Sequence, residues 1–109
     1  MEKYGLIGYP LRHSFSIGYF NEKFKSEGID AEYVNFEIPS INNFMEVIEE
    51  NPNLCGLNVT IPYKRQVLPY CAQLTPAAQC CGSVNLLIKG RDGTLTGDFE
   101  KGTAVLTIK

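Results

Sequence analysis

Short apolar runs alternate with segments of helical period along this chain, and proline, glycine or a capping hydroxyl marks each change of period. Residues 3–9 form a strand-like run stopped by Pro10, and from Ser14, a good N-cap, Ile17, Phe20 and Phe24 recur at helical spacing up to Gly28. Residues 31–38 return to β-branched and aromatic side chains and end at Pro39. Ser40 then caps a second helical segment with Ile41, Phe44, Met45 and Ile48 on one face, and residues 54–59 make the third apolar run. A strand, a helix and a strand in that order make a right-handed crossover unit, whose two strands lie parallel and whose helix covers one face of the sheet. The order predicts an α/β fold: a three-layer αβα arrangement around a mostly parallel sheet.

Further along, the pattern predicts a helix from Pro62 to Leu68 and a short helix opened by Thr75 as N-cap with Pro76 behind it. Residues 83–88 read as a strand, joined through 89–93 to a hairpin partner at 94–97, which makes the sheet mixed. At 109 residues the chain is about one domain. We divide it into a unit over 1–98 and a divergent tail over 99–109, whose alternating, β-branched end reads as a strand able to add to a sheet edge and so to pair two copies in a homodimer.

A formal net charge of -2 with scattered Lys and Arg offers no basic patch for nucleic acid. No apolar run approaches the roughly 20 residues that span a bilayer, and the first residues lack a signal-peptide pattern, so a cytoplasmic protein is expected. Cys55, Cys71, Cys80 and Cys81 lack C-x-x-C spacing, and His13 is far from them in sequence; reduced thiols rather than a zinc site are expected.

Polar residues collect where strands end. Asn58, Thr60 and Lys64 follow the third strand, Ser14 and Ser16 follow the first, and Asn85 opens the fourth. In open α/β sheets the ligand crevice lies outside the carboxyl ends of the strands. Hydroxyls, amides and one amine in that place suit a small ligand bearing several hydroxyl groups. Lys64, placed in the first turn of the expected 62–68 helix, would face the positive end of the helix dipole, which disfavours the charged amine and makes it an acid/base candidate.

Three stretches carry a family resemblance: Gly8-Tyr9-Pro10-Leu11-Arg12-His13-Ser14-Phe15-Ser16, Asn58-Val59-Thr60-Ile61-Pro62-Tyr63-Lys64 and Gly82-Ser83-Val84-Asn85. They resemble the substrate-binding motifs of shikimate dehydrogenase, in that family's order and spacing, over residues 4–98. The resemblance implies that Ser14 and Ser16 hold the shikimate carboxylate, that Asn58, Thr60 and Asn85 bind ring hydroxyls or the carboxylate, and that Lys64 is the catalytic lysine. It also implies NADP-dependent reduction of 3-dehydroshikimate to shikimate, a step of aromatic amino-acid biosynthesis.

Two features depart from the family pattern. Gly97-Asp98-Phe99-Glu100-Lys101 puts Lys101 where the resemblance calls for the lysine's partner aspartate, and Asp98 or Glu100 could replace it only after a register shift. The 109 residues also hold no Gly-x-Gly-x-x-Gly between a strand and a helix, so the family's nucleotide-binding domain is expected to be absent and no cofactor is expected to bind this chain alone. Hydride transfer needs the cofactor held against the substrate, so the isolated chain is expected to be inactive. The alternatives are a non-catalytic module for shikimate- or quinate-like acids, and a dimerising structural fragment.

Overall fold

The computed structural model describes residues 1–11 and 15–100, with Phe15 and Ser16 described by backbone alone. β1 (Glu2–Gly8) and β2 (Ala31–Glu37) pair in parallel across α1 (Phe15–Ser26). β3 (Leu54–Val59) joins the other side of β1, also in parallel, after a 3-10 turn (Ile41–Asn43) that runs into α2 (Phe44–Glu50). The chain then turns back: β5 (Leu86–Lys89) lies antiparallel to β3 and to its hairpin partner β6 (Leu95–Asp98). A two-residue strand, β4 (Gln73–Leu74), runs parallel to β6 just before α3 (Pro76–Cys81), so the described sheet has six strands in the order β2-β1-β3-β5-β6-β4.

Helices cover both faces, as the alternation of periods requires. On one face Phe20 and Phe24 of α1 pack on Tyr33 and Leu86, with Tyr4 and Leu6 beside them. Phe44, Val47 and Ile48 of α2 meet Ile7, Leu57, Val59 and Leu87 on the other, and Ala78 of α3 joins the same cluster. Successive strand residues point to opposite faces, so Leu6 and Ile7 serve different cores. A fully buried Phe44 contributes roughly 1.5–3 kcal/mol relative to exposure, so these clusters outweigh the surface ion pairs as sources of stability.

Local chemistry places the helix ends. Ser40 accepts from the Asn42 N–H (3.1 Å), and Thr75 Oγ1 accepts from the Ala78 N–H (3.3 Å). Gly82, at φ 61°, closes α3 in the left-handed region that a side-chain-bearing residue would resist.

The helix expected over 62–68 is not there. Pro62 sits inside a tight turn, its peptide with Ile61 cis, closed by the Tyr63 N–H donating to Thr60 O at 3.0 Å. One helical bond follows, Val67 N–H to Tyr63 O at 3.1 Å, but the next fails: Leu68 N–H donates to Arg65 O, while Lys64 O accepts from the Val84 N–H at 2.8 Å. The segment ends in a 3-10 turn at Leu68–Tyr70, where Pro69 has no N–H to give. A bond to a residue twenty positions on has outcompeted the helix. The strand expected over 83–88 starts later, at Leu86, because Val84 and Asn85 spend their backbone groups on Lys64, Val59 and Asp98 outside the ladder. The expected tail strand lies outside the described residues.

Candidate functional site

The carboxyl ends of β1 and β3 and the approach to β5 meet at one edge of the sheet. Thr60 is drawn to β1 by its N–H, which donates to Ile7 O at 2.9 Å. Gly8 makes that approach fit, since a Cβ there would collide with the Thr60 methyl and lie 3.0 Å from the Leu11 side chain. The Val59 N–H donates to Asn85 O at 2.9 Å and the Val84 N–H to Lys64 O at 2.8 Å. Asn58, Thr60, Lys64 and Asn85, scattered over 28 positions, are thereby brought to one place.

Asn58 is 5% exposed and stands in register with Leu6 on one side and Leu86 on the other. Its Oδ1 accepts from the Tyr33 hydroxyl at 2.8 Å, and its Nδ2 is buried without a hydrogen-bond partner. Leaving a buried amide donor unpaired costs about 1–3 kcal/mol, so an acceptor supplied to Nδ2 from outside the described residues is worth about that much. Thr60 and Lys64 are half-buried, and neither side chain bonds to a described residue. The dipole argument for Lys64 falls with the missing helix: the lysine sits in a turn whose carbonyl is anchored to Val84.

Asn85 also has a structural job. At 3% exposure its amide grips the backbone of residue 100, Nδ2 donating to Glu100 O (2.8 Å) and Oδ1 accepting from the Glu100 N–H (2.9 Å). It holds the end of the described chain against the site. Ser14 and Lys101 lie outside the described residues, and Ser16 is placed only by its backbone, in the first turn of α1.

Asp98 is one of the two carboxylates that could replace the missing aspartate after a register shift. The structure commits its Oδ1 elsewhere, accepting from the Thr75 hydroxyl at 2.6 Å and the Phe99 N–H at 2.8 Å. Thr75 thus caps α3 and ties that helix to the end of β6. Nothing local in the sequence signals this pair, 23 residues apart, or the Tyr33–Asn58 pair, 25 apart. A cavity of about 800 Å³ lies at the opposite end of the sheet, lined by Met1, Glu2, Asp30, Asn53 and Lys89 among others, and none of the candidate residues borders it. Among the described residues no cluster of three potential metal ligands forms, and no helix is long and apolar enough to cross a membrane.

A family model for the shikimate dehydrogenase substrate binding domain matches residues 6–87, a span that takes in the carboxyl end of β1, β3 with its polar turn, and Asn85. The chain belongs to this family. The shikimate dehydrogenase (NADP(+)) of Syntrophomonas wolfei is 41% identical over 101 residues, which make up 88% of this chain and 33% of that protein. Shikimate 5-dehydrogenase from Listeria monocytogenes, solved in complex with shikimate and NAD, matches with a TM-score of 0.80 at 38% identity, over 90% of this chain and 34% of that one. The Thermus thermophilus enzyme, in complex with NADP(H) and shikimate, gives a TM-score of 0.80 at 26% identity, over 90% of this chain and 37% of that one. The chain therefore spans about a third of the length of the shikimate dehydrogenases it matches. Their mixed α/β fold is the fold described above.

Proposed function

We propose that these residues form the substrate-binding half of an NADP-dependent shikimate dehydrogenase, holding a shikimate-like hydroxy acid at the carboxyl edge of β1 and β3. The observation that carries this reading is the buried, unpartnered Nδ2 of Asn58 at that edge, close along the chain to Thr60 and Lys64, whose side-chain polar atoms are uncommitted among the described residues. A ligand oxygen accepting from Nδ2 removes the penalty of the unpaired donor, and the Thr60 hydroxyl can both donate and accept. Lys64 supplies the proton to the reacting oxygen in the family's reaction. Ser14 and Ser16 hold the carboxylate, and Asn85 contributes by fixing the backbone of residue 100 beside the site.

NADP does not fit the described residues. The one place where glycine follows a strand toward a helix, Gly8, is already filled by the Thr60 and Leu11 side chains, which leaves no cradle for a pyrophosphate. With Lys101 standing in place of an aspartate as well, the chain by itself binds ligand and does not turn it over. All four cysteines are unpaired, which favours the reducing setting of the cytoplasm.

Two measurements test this. Amide NMR of the chain titrated with shikimate is expected to move the Thr60, Lys64 and Asn85 signals; an unchanged spectrum at millimolar shikimate refutes the binding site. Purified chain with NADPH and 3-dehydroshikimate is expected to leave the cofactor absorbance constant, and a steady fall refutes the claim of inactivity.

A further inference from the structure

Asn58 does not set its own orientation. Its backbone is fixed by pairing with Leu6 and Leu86, and the described polar partner of its side chain is the Tyr33 hydroxyl, which donates to Oδ1. A carboxamide accepts at one end and donates at the other, and with the hydroxyl donating to Oδ1 the acceptor end is engaged. The end left over is Nδ2, buried and unpaired.

Tyr33 is itself immobilised. Its ring is buried at 1% exposure and stacks on Phe20 with centroids 4.6 Å apart and planes 19° from parallel. Asn21 of α1 clamps its backbone, Oδ1 accepting from the Tyr33 N–H at 2.8 Å and Nδ2 donating to Tyr33 O at 3.0 Å. A line of constraint therefore runs from α1 through Tyr33 to the one buried polar side chain in β3.

We propose that Tyr33 is a positioning residue for the substrate site, acting through Asn58 to present Nδ2 as a donor, so that this subsite takes a ligand oxygen with a free lone pair and discriminates against an analogue lacking it. The proposal rests on the shikimate-binding reading and adds to it a residue outside the polar motifs at the strand ends. An analogue without that oxygen leaves Nδ2 unpaired, which a site built for hydrogen bonding penalises strongly.

The test is a double-mutant cycle read by shikimate titration. Tyr33→Phe keeps the ring and its stack and removes only the hydroxyl. It is expected to weaken shikimate binding by about tenfold in the wild-type background and by less than about twofold in the Asn58→Ala background. Equal losses in both backgrounds, or none in the wild type, overturn the proposal. A second arm uses the ligand-free protein, where the Asn58 Nδ2 proton signals are expected to shift in Tyr33→Phe while the thermal melt stays within a few degrees. Unshifted Nδ2 signals overturn the proposal whatever the titration shows. If millimolar shikimate moves nothing in the wild type while Nδ2 responds to Tyr33→Phe, the shikimate reading fails and the Tyr33–Asn58 coupling stands.

Discussion

Asn85→Ala separates the structural from the ligand-binding role of a residue that the family resemblance treats only as a ligand. The substitution deletes both amide bonds to Glu100, at 2.8 and 2.9 Å, and leaves the backbone bonds of Asn85 to Val59 and Asp98 intact. Two net hydrogen bonds are worth roughly 1–3 kcal/mol. Glu100 is exposed, so water recovers its freed N–H and C=O, and the loss falls at about 1–2 kcal/mol. Urea unfolding reads that number. Amide hydrogen exchange reads its location: the Glu100 N–H loses protection, whereas the Phe99 N–H, held by Asp98 Oδ1, keeps it. An unprotected Glu100 amide in the wild type, or a variant with Glu100 as protected as before, refutes the clamp. A loss above about 4 kcal/mol refutes the reasoning that water recovers the freed groups, and points instead to collapse of the β3–β5 junction.

Lys64→Ala is expected to change unfolding stability by less than about 0.5 kcal/mol, because the side chain makes no bond to a described residue, while weakening shikimate binding by about tenfold or more; denaturant melts and titration together check it. Thr75→Val removes a helix cap and the donor to Asp98 at once and is expected to cost about 1–2 kcal/mol in urea unfolding, with exchange quickening at Ala78 and Phe99. Burial, with the Glu2 carboxylate adding to it, pushes the Tyr4 phenol up to about 12 from 10.0. The folded state thus favours the protonated phenol, a contribution present below pH 10.0 and lost as pH rises towards about 12. Tyr4→Phe is therefore expected to flatten the alkaline fall in stability over that window, and an unchanged alkaline profile contradicts the assignment.

Most of the architecture was legible because it rests on short-range signals. β3 begins and ends where its apolar run does, at Leu54 and Val59, and α3 begins at the Thr75-Pro76 cap. Where the reading failed, a distant partner had won. Residues 62–68 carry helix-compatible side chains, yet Lys64 O bonds to Val84, and no pattern within the segment records that competitor. β4 consists of two residues, too few to show alternation, and exists because Ala72 and Thr75 find carbonyls on β6.

The site divides in the same way. That Asn58, Thr60, Lys64 and Asn85 gather at the strand ends was readable, since each closes, follows or opens an apolar run. Their roles were less so: whether a buried amide serves the ligand or the backbone depends on what faces it, and Tyr33 faces Asn58 while Glu100 faces Asn85. Those partners lie 25 and 15 residues away, beyond any motif.

A crystal structure of the chain grown with shikimate tests the central claim most directly. The account predicts ligand density at the carboxyl edge of β1 and β3, with a shikimate oxygen within about 3.2 Å of Asn58 Nδ2 and with Thr60 and Lys64 in contact. Shikimate bound elsewhere, such as in the cavity beside Met1 and Lys89, with Asn58 Nδ2 still unpaired, would contradict it.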